Sequence, residues 1–468
     1  MDAYILNALK DLVGTDNITT DKEDKLVYSY DGTPMVSHLP EAIVTPTDVR
    51  QISEIMKLAN EHNFVVIPRG SGTGLSGGAV PVENSIILLM NRWDKILEID
   101  QDNMTAWVQP GIVTSKFQKA VEATGLFYPP DPGSQDICTI GGNVAENAGG
   151  LRGLKYGVTK NYMMGVEFVL PTGEVVVNGG KNVKDVAGYN LRDLIVGSEG
   201  TLGIFTKILL KLIPKPQTSR TLLAYFDRLG NAAQSVSDII ANHIIPCTME
   251  FLDATTIKCV EDYAHIGLPT DVKALLLLEV DGHHAVVQEE AAKIETILKK
   301  NHAIHFETAK DETEALRLKT ARRAAFSALA RIRPTTILED ATVPRSNLAT
   351  LIERTADIAE KYHLQMGNFG HAGDGNMHPT VLTDERDKDE IKRVEKFFHE
   401  VYEETIQLGG TITGEHGVGI AKKQFLADFI EIPTLESMKK IKQSLDPNNV
   451  LNRDKIFSIA PRCEGKLA

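Results

Sequence analysis

A chain of 468 residues exceeds a single small module and, at about 100–200 residues per domain, points to two or three domains. Its 42% hydrophobic and 24% charged residues match globular averages, which excludes wholesale disorder. Lys and Arg total 50 against 63 Asp and Glu, a net charge of -13 with no long basic run, so no nucleic-acid partner is expected.

The stretch Met1 to Asp31 is polar and acidic, without the cationic start and apolar core of a signal peptide, and no run of about 20 apolar residues follows. Thr47 and Asp48 start a helix with Ile52, Ile55, Met56 and Ala59 at helical spacing, feeding a strand over Phe64–Ile67. Strands are predicted at Ile86–Leu89, Ile96–Ile99 and Thr105–Gln109, then a helix over Ser115–Ala123 and a long glycine-rich stretch from Pro129 to Gly157. Leu209–Ile213 followed by Pro214, Lys215 and Pro216 reads as a last strand and a linker. Beyond it, strands at Thr221–Phe226, Ala274–Val280 and Thr335–Leu338 alternate with helices at Ala285–Lys300, Glu312–Leu329 and Asn347–Tyr362. His283 and His284 read as a loop and a helix start. The division expected is 1–215, 216–423 with an antiparallel sheet, and a helical segment 424–468 packing back on the first domain. Cys138, Cys247, Cys259 and Cys463 are too scattered for a disulfide framework or close metal pairs, which fits a reducing, cytoplasmic setting.

Directly after the strand at Phe64–Ile67 comes Pro68-Arg69-Gly70-Ser71-Gly72-Thr73-Gly74-Leu75-Ser76-Gly77-Gly78, with Gly72, Gly74 and Gly77 at G-x-G-x-x-G spacing. A dinucleotide fingerprint needs a helix right behind the glycines, but Ala79-Val80-Pro81 leads into another strand. No Lys-Ser or Lys-Thr follows, so a nucleoside-triphosphate loop fails as well. What remains is a loop of backbone N–H groups able to wrap an anion. Further glycine clusters at Thr139–Gly150 and Gly197–Ile204 strengthen that reading.

In Gly370-His371-Ala372-Gly373-Asp374-Gly375-Asn376-Met377-His378, Asp374-Gly375 signals a two-residue hairpin turn. That turn would pair His371 with His378 on one face, roughly 5 Å apart at Cβ, a geometry that suits one metal ion. A carboxylate donor is offered by Thr413-Gly414-Glu415-His416-Gly417, where extended backbone would point Glu415 and His416 to opposite faces and so to different tasks.

Together these segments, with Pro129–Ser134, resemble the FAD-binding oxidoreductases of the vanillyl-alcohol oxidase type, in the branch of glycolate oxidase subunits and D-lactate or D-2-hydroxyglutarate dehydrogenases. The resemblance spans nearly the whole chain. It implies an α+β protein, an FAD-binding domain followed by an α+β substrate (cap) domain. It assigns Pro68, Arg69, Gly70, Ser71, Gly72, Thr73, Gly74, Ser76 and Gly77 to the FAD pyrophosphate. Pro132, Gly133, Ser134, Thr139, Gly141, Gly142, Asn143, Ala145, Asn147, Gly149, Gly150, Glu199, Gly200, Ile204 and Asn452 would line the rest of the cofactor. Ser71 and Gly72 stand where covalent members carry a histidine, so the FAD is expected to be non-covalent. The resemblance further implies that His371, His378 and Glu415 bind one divalent ion (Zn, Fe or Mn), that His416 is the catalytic base, and that Arg322 clamps the substrate carboxylate. Arg317 and Arg323 share that predicted helix, and Arg323 can equally be a surface charge.

The expected reaction is FAD-dependent dehydrogenation of a D-2-hydroxy acid, D-lactate favoured, with glycolate and D-2-hydroxyglutarate as alternatives. Electrons would pass to a partner such as an electron-transferring flavoprotein. A flavin electron-relay subunit and a flavin-free metal hydrolase are the competing classes.

Overall fold

The computed structural model describes residues 1–458; Cys463 and the end of the expected 424–468 segment lie outside the described residues. Asp48 caps the helix Val49–His62 by accepting from the Gln51 N–H, and the helix buries Ile52, Ile55, Met56 and Ala59. It ends on Asn63 at φ 52 and hands over to the strand Val65–Arg69. That strand runs parallel to Ser85–Leu89, which in turn runs parallel to Ala42–Val44. Their continuous apolar character follows from burial on both faces. Pro68 and Arg69 therefore close the strand, the Arg69 carbonyl accepting from the Met90 N–H, and the glycine loop proper begins at Gly70.

Five antiparallel strands form the next sheet, in the order Ile96–Asp100, Thr105–Val108, Ile204–Lys211, Met163–Val169 and Val175–Gly179. The glycine-rich stretch between them is not all loop. Thr139 caps a short helix, Ile140–Glu146, and Gly141 within it lies so close to Pro110 that a Cβ would stand 2.5 Å from the proline Cβ. Close packing places that glycine.

From Thr218 onward an eight-stranded antiparallel sheet takes over. Its order is His305–Thr308, Thr218–Phe226, Ala274–Gly282, Thr248–Asp253, Gln365–His371, Asn376–Thr383 and Thr335–Leu338, with Ala341–Thr342 also paired to Asn376–Thr383. Ala274–Gly282 shows why the sheet is covered twice. Leu276, Leu278 and Val280 face one helical layer with Val236, Ile294 and Phe397, while Leu275 and Leu277 face another with Ile257, Leu318 and Leu329. The single helix expected over Glu312–Leu329 is instead two, Glu312–Arg323 and Ala325–Leu329, interrupted at Ala324, whose ψ of -13 flattens the turn.

Helices Lys423–Phe429 and Ile432–Leu445 bring the chain back to its first sheet, where Leu451 bridges Val66 and Val450 is fully buried. The buried Lys442 ammonium donates to the carbonyls of Thr201 and Leu451 and to Asp446, whose carboxylate also accepts from the N–H groups of Val450 and Leu451.

Candidate active site

A cavity of about 630 Å³ runs from the glycine loops to the hairpin of the large sheet. Pro68, Arg69, Gly70, Ser71, Gly72, Thr73 and Gly74 line it, as do Pro132, Gly133, Ser134, Thr139, Gly141, Gly142, Asn143, Ala145, Glu199, Gly200, Ile204 and Asn452. Among the described residues, the backbone N–H groups from Gly70 to Gly74 have no acceptor within the chain. Asn452 Oδ1 and Glu146 Oε2 are likewise buried in the wall without a partner. Such a row of free donors beside a long cleft fits a dinucleotide with its pyrophosphate on the loop.

Five of the expected cofactor residues, Ser76, Gly77, Asn147, Gly149 and Gly150, are not among those that line this cavity, and each makes contacts within the chain. The Ser76 carbonyl accepts from the N–H groups of Ile420 and Ala421, and the Gly77 carbonyl from Lys455. Asn147 is the left-handed end of the helix Ile140–Glu146, at φ 55. Gly149 and Gly150 bear on Glu415: the Gly150 N–H donates to Glu415 Oε2 at 3.0 Å, and a Cβ on Gly149 would meet that oxygen at 2.9 Å.

At the other end of the cavity stands the histidine hairpin, with a register that differs from the expected one. Its strands are joined by a turn over Ala372–Asp374 and by Gly375 at φ 74, so His371 pairs with Asn376 and His378 with Phe369. A two-residue turn is displaced because this tip is interior. Ala372 is fully buried, a Cβ on Gly373 would meet Leu154 at 2.5 Å, and the Gly375 carbonyl accepts from the Val343 N–H. The slip is by two residues, an even number, so both imidazoles keep the same face, with ring centres 5.2 Å apart.

Glu415 Oε1 lies 2.9 Å from His371 Nε2 and 3.5 Å from His378 Nε2. One ligand atom from each of His371, His378 and Glu415 falls within 4.8 Å of the others. Two imidazoles and a carboxylate form a donor set that fits a divalent first-row ion. Burial alone would lower the His371 pKa, but Glu250 and Glu415 on either side hold it well above its ordinary value. Burial would likewise raise Glu415, yet His371 and His378 keep it well below the usual carboxylate range.

The segment carrying Glu415 and His416 is not extended, which corrects the expectation that their side chains diverge. It wraps the Asp340 carboxylate: Asp340 Oδ2 accepts from the Thr413 hydroxyl and from the N–H groups of Gly414, Glu415 and His416, at 2.7–2.9 Å. Both side chains consequently reach the same cluster, and the His416 ring stacks on His378 with centres 4.8 Å apart. His378 Nδ1 and His416 Nδ1 are buried without a partner. Burial, with His378 and Lys422 adding to it, pushes His416 down to about 4 against the opposing pull of Asp340.

Arg322 lies over the Phe369 ring, 4.7 Å from its centre, with Nε 2.5 Å from Glu250 Oε2. Arg323, exposed, lines the cavity beside it, whereas Arg317 is tied to Glu307 and the Ile266 carbonyl. Reading the sequence missed Glu250 and Asp340, both fully buried, and the role of Glu199, whose carboxylate accepts from the N–H groups of Val418 and Gly419. The available signal was an acid inside an apolar run, as in Met249-Glu250-Phe251-Leu252.

Comparison with known proteins places this geometry. Residues 40–179 match the family profile described as FAD binding domain, and residues 215–456 match FAD linked oxidases, C-terminal domain. The chain is 53% identical over 445 residues to the glycolate oxidase subunit GlcD of Bacillus subtilis (strain 168), covering 95% of each. To the D-lactate dehydrogenase of Anaerostipes hadrus it is 34% identical, covering 89% of each. A solved structure of p-cresol methylhydroxylase shares the fold at TM-score 0.79 with 18% identity, covering 98% of both chains.

Proposed function

Because the chain belongs to the family of FAD-linked D-2-hydroxyacid dehydrogenases and glycolate oxidase subunits, flavoproteins of the vanillyl-alcohol oxidase type, we propose that it oxidises a short 2-hydroxy acid to the 2-oxo acid. The observation that carries this reading is one cavity with a glycine-loop cradle at one end and His371, His378, Glu415, His416 and Arg322 at the other.

Bound FAD supplies the two-electron acceptor, and a divalent ion held by His371, His378 and Glu415 supplies a Lewis acid for the substrate hydroxyl. The free N–H groups of Gly70 to Gly74 would hold the pyrophosphate, and the lack of a histidine in that loop supports non-covalent FAD. Arg322 has its Nε on Glu250 and lines the cavity, which leaves its terminal N–H groups available for the substrate carboxylate. His416, neutral at pH 7 because burial lowers its pKa, takes the hydroxyl proton at its ring. Phe326, Phe369 and Leu338 line the same end and favour a small substrate.

Identity of 53% to a glycolate oxidase subunit puts glycolate first, and 34% identity to a D-lactate dehydrogenase supports D-lactate as the second reading. Cys138, Cys247 and Cys259 are free and buried, far from a cluster-binding pattern, so the electrons leave for a separate acceptor. An electron-transferring flavoprotein or another redox protein fits that need, and the word subunit in the relative's name supports a protein partner. Among the described residues no helix is long and apolar enough to cross a membrane, and a cytoplasmic setting is part of the same reading.

The test is anaerobic bleaching of the flavin band at about 450 nm by glycolate, D-lactate, L-lactate and D-2-hydroxyglutarate, added separately. Rapid bleaching by glycolate or D-lactate is expected, and His416→Ala is expected to keep its flavin and lose the bleaching. If none of these acids reduces the flavin of metal-replete protein, an electron-relay role takes over.

A further inference from the structure

Glu250 stands between two groups that recognise different things. It lies on the strand Thr248–Asp253, fully buried, with Met249 and Phe251 beside it. Its Oε1 is 2.7 Å from His371 Nδ1 and its Oε2 is 2.5 Å from Arg322 Nε. A carboxylate withdrawn from water is costly unless it is paired and hydrogen-bonded. Both partners here belong to the wall of the cavity.

The two contacts constrain their partners in a specific way. An imidazole whose Nδ1–H is held by a carboxylate is fixed in one tautomer and one ring orientation, with the Nε2 lone pair directed away. For His371, Nε2 lies 2.9 Å from Glu415 Oε1 and so donates to that carboxylate; on ion uptake it would give up that hydrogen, and its lone pair would face the position Glu415 also addresses. A guanidinium whose Nε edge is taken keeps its terminal N–H groups for a second planar acceptor, and the Phe369 ring beneath Arg322 holds the plane. We propose that Glu250 is the positioning residue of this site, orienting the ion-binding nitrogen of His371 and the carboxylate-binding edge of Arg322 with its two oxygens. Affinity for the ion and affinity for the hydroxy acid then depend on one side chain that touches neither. The proposal rests on the reading in which His371, His378 and Glu415 hold a divalent ion.

Glu250→Gln and Glu250→Ala test it in the FAD-containing full chain. Zn²⁺ and Mn²⁺ affinities are measured by equilibrium dialysis. KM and kcat are measured with an artificial dye acceptor, using whichever acid bleaches the wild-type flavin. Glutamine keeps the shape but offers one acceptor oxygen, so its amide nitrogen must face either the His371 N–H or the Arg322 N–H. It is expected to weaken ion affinity or raise KM by about 10–100-fold while leaving the other near wild type. Alanine is expected to impair both, with kcat at saturating ion and acid changing less than KM. Flavin content per chain checks that each variant is folded. If the wild type binds ion and both variants match its ion affinity and KM within about twofold, the positioning role is overturned while the ion site stands. If the wild type takes up neither ion, the ion-site reading falls and this proposal falls with it.

Discussion

Asp340 shows how much of the chemistry is set by groups that never meet the substrate. Its two oxygens receive donors only: the Asn376 amide on Oδ1, and on Oδ2 the Thr413 hydroxyl with the backbone N–H groups of Gly414, Glu415 and His416. Asp340→Asn replaces one acceptor with an NH₂ that opposes donors, at a cost of about 1–3 kcal/mol for each buried group left unpaired. The expected outcome is a normally yellow protein whose kcat falls by about 10–100-fold, because Glu415 and His416 lose their common support; kcat against flavin content measures it. Single acids of this kind were illegible in the sequence. Glu250 reaches its histidine across 121 positions and Asp340 reaches His416 across 76, and the local mark, an acid within an apolar run in the case of Glu250, does not say which partner it meets. The four residues His371, His378, Glu415 and His416 were legible because each sits in a short glycine-bounded motif whose composition already suggests chemistry.

At the scale of elements, the glycine loop and the helix Ile140–Glu146 are fitted against each other. A Cβ on Gly70 would stand 2.4 Å from Thr139 Oγ1, the atom that caps that helix by accepting from the Gly142 N–H. Gly70→Ala is therefore expected to displace both the loop and the cap, releasing FAD at concentrations that keep the wild type saturated; flavin fluorescence on dilution reads it. Element positions followed well from pattern where one face repeats, as in Val49–His62 capped by Asp48. They failed where tertiary packing decides. The Asp374-Gly375 tip enters the core against Leu154 and Val343, so the longer turn wins over the exposed two-residue one, and only the even slip in register keeps the two histidines together. Gly141 is a different case, since a glycine that serves close packing inside a helix looks in sequence like a glycine that serves a turn.

For the whole molecule, the change of texture near Pro214-Lys215-Pro216 was readable, whereas the way the two halves hold each other was not. The C-terminal return is one such hold. Removing the Lys442 ammonium by Lys442→Met leaves the Asp446 carboxylate buried with backbone donors alone and frees the segment that carries Asn452 to the cavity. A loss of about 3–5 kcal/mol is expected, seen as a lower thermal midpoint with earlier flavin release. A further hold is reciprocal: Glu415 accepts from the backbone of Gly150, and Glu199 accepts from the backbone of Val418 and Gly419. Each half thus contributes an acid that the other half's main chain must be shaped to receive. Hybrids spliced at residues 214–216 from two different parents would draw this seam, and the Val450 and Leu451 that complete the first half's core, from both. Recombination can succeed there only when one parent brings Glu at position 199 with a glycine at 150 that tolerates φ 117, and the other brings Glu at 415.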